Sequence, residues 1–212
     1  MNGMTSKGRM AAKSYVALIA LGLVLAAVPA YAQEGGPGPG RVEMTLIPGG
    51  GTFFMDAENE PGFGNYDLGA TIGYNFNRFV GIEGELTGSL GVKQDLAFGG
   101  FRRDVRTPNT FGYAGNLLLS TPSRGGAVLY ATGGIGGMTM FERAPLDVND
   151  TETFFTGNLG GGLKWYSDGR FGLRADYRFM MVPSKDEAST FFGRETRYGH
   201  RLYGGVIVNL DR

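Results

Sequence analysis

The stretch Tyr66-Asp67-Leu68-Gly69-Ala70-Thr71-Ile72-Gly73-Tyr74-Asn75-Phe76 changes character at every residue. Tyr66, Leu68, Ala70, Ile72, Tyr74 and Phe76 form one set; Asp67, Gly69, Thr71, Gly73 and Asn75 form the other. Strand side chains alternate between the two faces of a sheet, so this is a two-faced strand, apolar on one side and small or polar on the other. Further along, Phe155, Leu159, Leu163 and Trp165 oppose Thr156, Asn158, Gly160, Gly162 and Lys164, and Phe171, Leu173, Ala175, Tyr177 and Phe179 oppose Gly172, Arg174, Asp176 and Arg178. Eight such runs are predicted, at 42–55, 65–76, 79–90, 109–120, 126–141, 152–166, 170–182 and 197–210, and no helical period competes with them.

The connections fall into two kinds. Asn77-Arg78, Thr121-Pro122-Ser123-Arg124-Gly125 and Ser167-Asp168-Gly169 are short, the last with an Asp-Gly turn signal. The other four, 56–64, 91–108, 142–151 and 183–196, are long and polar. Short turns at one end and long loops at the other characterise transmembrane barrels, with the turns periplasmic. The expected fold is all-β, an eight-stranded antiparallel up-and-down transmembrane β-barrel. Lipid leaves no free backbone group satisfied, so a spanning sheet has to close on itself.

A soluble barrel would show the same alternation, and three features argue against it. The polar face is made of Gly, Thr, Asn and Ala, whereas a water-facing surface carries many Lys and Glu; after residue 32 the only lysines are Lys93, Lys164 and Lys185. Aromatics gather where the strands end: Phe76, Phe79, Trp165 and Phe171 beside the short turns, and Phe53, Phe111, Phe141, Phe155 and Phe179 toward the long loops. These are the candidate aromatic girdles. Phe155 and Trp165 lie ten residues apart on one face, so a strand tilted by about 45° separates them by roughly 24 Å along the membrane normal, close to the ~25 Å apolar band of such barrels.

Residues 1–32 have the form of a secretory signal peptide: Lys7, Arg9 and Lys13, an uncharged apolar run from Ser14 to Val28, and Ala30-Tyr31-Ala32, which places the cut between Ala32 and Gln33. An uncleaved anchor is the alternative, but the run is short for a helix crossing a core about 30 Å thick. A flexible Gly/Pro linker at 33–41 and an outer-membrane β-barrel domain at 42–212 complete the expected division. Beyond residue 32 there are 20 acidic and 17 basic side chains, a net charge of −3, so no basic field suggests nucleic acid. With no cysteine, disulfides and thiolate chemistry are excluded. The 38 glycines exceed twice the average usage of about 7%, and mixed with aromatics they suit a tightly curved sheet.

Alternation turns nine charges inward: Glu43, Asp67, Glu83, Glu85 and Asp176 against Lys164, Arg174, Arg178 and Arg201. Unpaired charges there are costly, so a plugging network is expected, with Glu83 and Glu85 meeting Arg174, Arg178 or Lys164. Such a cluster fills and fixes the barrel, or gates a narrow pore if its pairs exchange partners.

Phe79-Val80-Gly81-Ile82-Glu83-Gly84-Glu85, Leu129-Tyr130-Ala131-Thr132-Gly133-Gly134-Ile135-Gly136-Gly137 and Gly172-Leu173-Arg174-Ala175-Asp176-Tyr177-Arg178-Phe179 resemble the third, fifth and seventh strands of the small outer-membrane β-barrels of the outer-membrane protein A and X type. The resemblance spans about residues 41–210. It implies a structural, adhesive or weakly permeable protein of the outer membrane, with no shared catalytic residues, assembled by the barrel-assembly machinery. One departure is the ending Leu210-Asp211-Arg212, where members of that family commonly carry an aromatic.

No zinc spacing, phosphate loop or nucleotide fingerprint is present, and no metal or cofactor is expected. Some barrels of this kind act on lipid A, which needs a base and a nucleophile. His200 is the only histidine, its parity turns it outward, and Ser89 points inward, so no catalytic residue is assigned. Lys93, Arg102, Arg103 and Arg106 in loop 91–108 are candidate contacts to lipopolysaccharide phosphates. The expected partners are therefore outer-membrane lipid and lipopolysaccharide, and the protein is expected to be a monomer. The function expected is structural or surface-interacting through the loops, ahead of a small passive channel and of a lipid A-modifying enzyme.

Overall fold

The chain divides into two compact units, Met1–Gln33 and Glu34–Arg212. The computed structural model describes residues 38–98, 101–141, 146, 151–167, 170–186, 188–189 and 191–211, all in the second unit. The expected signal peptide, most of the linker and of loop 142–151, and the Asp168-Gly169 turn lie outside the described residues.

Ten strands run in chain order: β1 (Val42–Phe54), β2 (Phe63–Asn75), β3 (Val80–Gly91), β4 (Lys93–Phe98), β5 (Phe101–Arg106), β6 (Thr110–Ser120), β7 (Ala127–Met140), β8 (Glu152–Tyr166), β9 (Phe171–Val182) and β10 (Arg197–Asn209). Eight close into a barrel in the order β1-β10-β9-β8-β7-β6-β3-β2, every neighbouring pair antiparallel. The eight alternating runs correspond to these strands. β4 and β5 form a separate two-stranded ribbon, so the long polar connection expected at 91–108 contains paired strands. The Gly99-Gly100 pair between its halves is itself a hairpin signal in the sequence.

Alternation sets inside and outside. In β9 every second residue from Gly172 to Val182 is buried, and Phe171, Leu173, Ala175, Tyr177, Phe179 and Met181 are exposed. The exposed set continues round the wall through Leu202, Leu68, Ile72, Ile82, Leu86, Leu119, Leu129 and Leu159. β1 breaks the parity. Glu43, Thr45 and Ile47 are buried, and beyond Pro48 it is Thr52 and Phe54. Register shifts between Leu46 and Gly49 on one side and between Ile47 and Gly50 on the other mark a β-bulge. Proline has no N–H for the ladder, and a closed barrel offers it no edge, so Pro48 demands such an irregularity. The bulge is what lets Glu43 point into the lumen and Phe53 point out, although both positions are odd.

The strand ends joined by the three short connections, with both ends of the barrel domain, lie at one end, here the turn end; the strand ends joined by the long connections 55–62, 92–109, 141–151 and 183–196 lie at the other, the loop end. At the turn end residues 38–41 are held in place rather than free. The Gly40 amide donates to Asn209 Oδ1 at 2.9 Å, the Arg41 amide to Asp211 at 2.7 Å, and Asn75 donates to the Gly40 carbonyl at 2.7 Å. The Leu210 amide donates to the Val42 carbonyl at 2.9 Å. The charged ending thus has a local purpose, because Asp211 satisfies amides that a barrel strand leaves open where it starts.

Candidate functional site in the lumen and at the loop end

The nine inward charges are all buried. They stack in layers along the barrel axis. Nearest the turn end, Lys164 on β8 pairs with Glu43 on β1 at 2.6 Å, and the Tyr166 hydroxyl donates to the same carboxylate. Val128, Tyr166 and Ile207 pack together at this level.

The middle layer is built by β9. Arg174 meets Glu83 and lies 2.7 Å from Asp176, and its Nε donates to the Tyr130 hydroxyl at 2.7 Å. Arg178 reaches Glu83 at 2.9 Å, Asp176 at 2.9 Å and Glu85 at 3.1 Å, and donates to the Tyr203 hydroxyl at 3.2 Å. Neither guanidinium is accessible to solvent. Burying charge carries a large desolvation cost, offset here because each arginine faces several oxygens at once. Glycine makes the room: a Cβ on Gly162 would sit 2.6 Å from the Tyr130 hydroxyl and closer still to the Ala175 carbonyl. Above this layer Arg201 pairs with Glu85, and Thr52 donates to Asp67 at 2.6 Å. Asp67 is the one lumen acid without an ion pair among the described residues.

The expected pairing needs one correction. Glu83 and Glu85 are met by Arg174, Arg178 and Arg201, while Lys164 takes Glu43 instead, because residue 164 sits near the turn end of β8, opposite Arg174 in register and below the two glutamates. Tyr130, Tyr166 and Tyr203 belong to the network and were missed. Their parity with Thr132, Lys164 and Arg201 was the available signal.

The loop end is closed by different chemistry. Phe54, Phe63, Leu96, Val105, Met138, Met140, Leu146, Phe154, Val182, Ala188, Phe191 and Phe192 form one buried apolar cluster. Phe192 is fully enclosed; its ring lies 4.9 Å from that of Phe54 and 5.3 Å from that of Phe154, both edge-on. Edge-to-face pairs contribute about 0.5–1.5 kcal/mol each beyond area burial. Between this mouth and the charged layers lies a small chamber of about 30 Å³. Thr52, Thr87, Ser89, Thr110 and Thr156 supply hydroxyl walls, Glu85 and Arg201 the floor, and Met138 and Met180 the ceiling.

Two carboxylates bind the loops together. Glu60, 3% exposed, accepts the amides of Gly193, Arg194 and Glu195 at 3.0, 2.7 and 3.2 Å and pairs with Arg197 at 2.8 Å. Three successive amides converge on one carboxylate because Gly193 has a φ of 99°, a left-handed value that favours glycine. In return Glu195 accepts the amides of Glu58 and Asn59 at 2.8 and 3.1 Å. Arg197 also donates to the Met55 and Pro61 carbonyls. Glu60, Glu195 and Arg197 were all missed; the parity of Arg197 with Arg201 was the available signal.

Leu96 and Val105 seat one face of the β4–β5 hairpin in the apolar mouth, so the other face turns outward with Lys93, Asp95, Arg102, Asp104 and Arg106. Arg103 shares register with Leu96, so the four basic residues do not present a single surface. Asp95 stands directly opposite Asp104, and the like charges are relieved by Arg102 on Asp95 at 2.7 Å and Lys93 on Asp104 at 3.4 Å.

Of the nine girdle candidates, Phe53, Phe76, Phe111, Phe141, Phe155, Trp165, Phe171 and Phe179 are exposed on the outer wall. Phe79 departs: it lies in the turn before β3, half-buried, with the Arg78 guanidinium 4.9 Å from its ring. It shares parity with Glu83 and Glu85, so extending the strand would have turned it inward. His200 lies on the outer wall, its Nδ1 2.7 Å from the Tyr177 hydroxyl, whereas Ser89 lines the chamber inside.

A closed barrel with an apolar belt outside and paired charges inside is the architecture of a membrane-spanning β-barrel. Residues 18–192 match the outer membrane protein β-barrel domain, and the chain belongs to that family. The family places it in the outer membrane. The match stops short of β10, which closes the barrel. Among solved structures the chain is similar to Neisserial surface protein A, at 9% identity over 80% of this chain and 97% of that one, with a TM-score of 0.57. It is also similar to the N-terminal barrel domain of OprF from Pseudomonas aeruginosa (14% identity, 79% and 98% coverage, TM-score 0.47) and to Ail of Yersinia pestis (13%, 80% and 99%, TM-score 0.46). No curated protein sequence matches the chain.

Proposed function

We propose that this protein is a non-conducting barrel of the outer membrane whose role, structural or surface-interacting, resides in its loop end. The observation that carries this reading is the double obstruction of the lumen: a charged layer centred on Arg174 and Arg178, and an apolar mouth centred on Phe192. With the turns periplasmic, the loop end faces outward from the cell. Residues 1–32 serve as the export signal, cut between Ala32 and Gln33, and the barrel-assembly machinery inserts the monomer.

The outward face of the β4–β5 hairpin meets lipopolysaccharide. Lys93 and Arg106 stand opposite each other at the first register above the barrel rim, where headgroup phosphates lie, and can form charge-assisted bonds to them. Catalysis on lipid A is disfavoured, because His200 and Ser89 lie on opposite faces of the wall.

Single-channel recording in planar bilayers tests the reading. The wild-type protein gives no conductance steps; regular steps of porin size would establish the passive-channel alternative instead.

A further inference from the structure

The chamber under the apolar mouth is walled by hydroxyls and floored by an ion pair, yet its ceiling is purely apolar. Met138 of that ceiling packs into the apolar cluster of the mouth, which is not made by the barrel strands alone. Phe191 and Phe192 come from the β9–β10 loop and are held down by their neighbours 193–197, which are fastened to loop 55–62 by the reciprocal carboxylates. Glu60 is the inner fastening, buried and paired with Arg197; Glu195 is the outer one, partly accessible. Each carboxylate belongs to one loop and binds the backbone of the other, so neither loop can lift without leaving a carboxylate and two or three amides unpartnered.

We propose that Glu60 and Glu195 form a latch that holds an aromatic lid over the chamber, and that releasing it opens the chamber to the loop-end side while the charged layer beneath stays shut. The lid is therefore a part that moves independently of the lumen plug. Its underside, Phe191 and Phe192, and the strand residues Phe63 and Met138 that it covers form apolar surfaces uncovered only in the open form.

The absence of cysteine from the chain allows a direct test. Met138 lines both the chamber ceiling and the apolar cluster, so Met138→Cys places one thiol beneath the lid. In folded protein reconstituted in vesicles, a small charged methanethiosulfonate reagent added from the loop side labels this thiol slowly. Adding Glu60→Gln raises the rate at least tenfold, and adding Glu195→Gln raises it in the same direction by less. Heat-modifiable migration on a gel verifies that each barrel has folded, and the Glu195 variant, altered at a partly accessible position, keeps the test open if the Glu60 variant does not fold. Equal labelling rates with and without the latch substitutions, or fast labelling of Met138→Cys alone, would overturn the proposal. Conductance separates this inference from the closed-barrel reading. Latch variants that label fast yet pass no current support both; fast labelling with current sinks the plug and leaves the latch; slow labelling without current sinks the latch and leaves the plug.

Discussion

The two ends of the same lumen are filled by opposite means. Toward the turn end, seven of the eight strands contribute Glu, Asp, Arg, Lys and Tyr side chains that pair with one another in layers; toward the loop end, strand tips and loops contribute phenylalanines and methionines. The contrast follows from what each region can rely on. Barrel strands hold their side chains at fixed spacings, so directional bonds between charges can be met with good geometry. Loops lack that regularity, and non-directional apolar contact tolerates their irregular approach. The difference also sets the consequence of error: a charge without its partner is penalised heavily, whereas an apolar contact of slightly wrong shape is not.

That comparison can be broken first at Arg178. Its guanidinium serves Glu83, Glu85 and Asp176 together, so Arg178→Ala leaves buried acids uncompensated and destabilises the barrel by about 3–5 kcal/mol. Urea unfolding in lipid vesicles, followed by the fluorescence of the single tryptophan, Trp165, measures it; a loss below about 1 kcal/mol would mean that the middle layer is not an interdependent network. The apolar mouth should respond more gently. Phe192→Leu keeps most of the volume and costs less than about 1.5 kcal/mol in the same assay, unless the ring geometry rather than the filling holds the mouth. The smallest effect belongs to the hairpin. Arg102→Ala removes an ion pair whose side chains are 68% and 49% exposed, worth about 0–1 kcal/mol, and that difference shrinks in high salt.

The strand half of the molecule was legible because a period of two is a local property of the chain. Asp67, Glu83, Glu85, Arg174, Asp176, Arg178 and Arg201 could be placed inside by counting alone, and the layered network followed from their parity. Which acid met which base was only partly legible, since strand stagger decides it, and Lys164 shows the limit. The bulge at Pro48 hid in plain view: Glu43 inside and Phe53 outside are compatible only if the parity changes between them. The loop end was hardly legible at all. Leu96, Val105, Leu146 and Phe192 sit in segments without a sustained period, and Glu60 reads as one acid in a polar loop. Their burial depends on several loops arriving together, which no single window of sequence encodes. Loop 56–64 was read from its composition as one of four long polar loops; its most consequential residue is buried.

One further property follows from where the carboxylates lie. Every neighbouring strand pair in the barrel is joined through the chain by a turn, loop or hairpin, except β1 and β10. That seam is the line along which the wall could part sideways into the bilayer. Glu60 and Glu195 tie loops that flank it at one rim, and Asp211 and Asn209 tie residues 40–41 across it at the other. Acidic and amide side chains thus act as non-covalent turns, so that a cylinder woven from one thread resists lateral opening where the thread itself supplies no stitch.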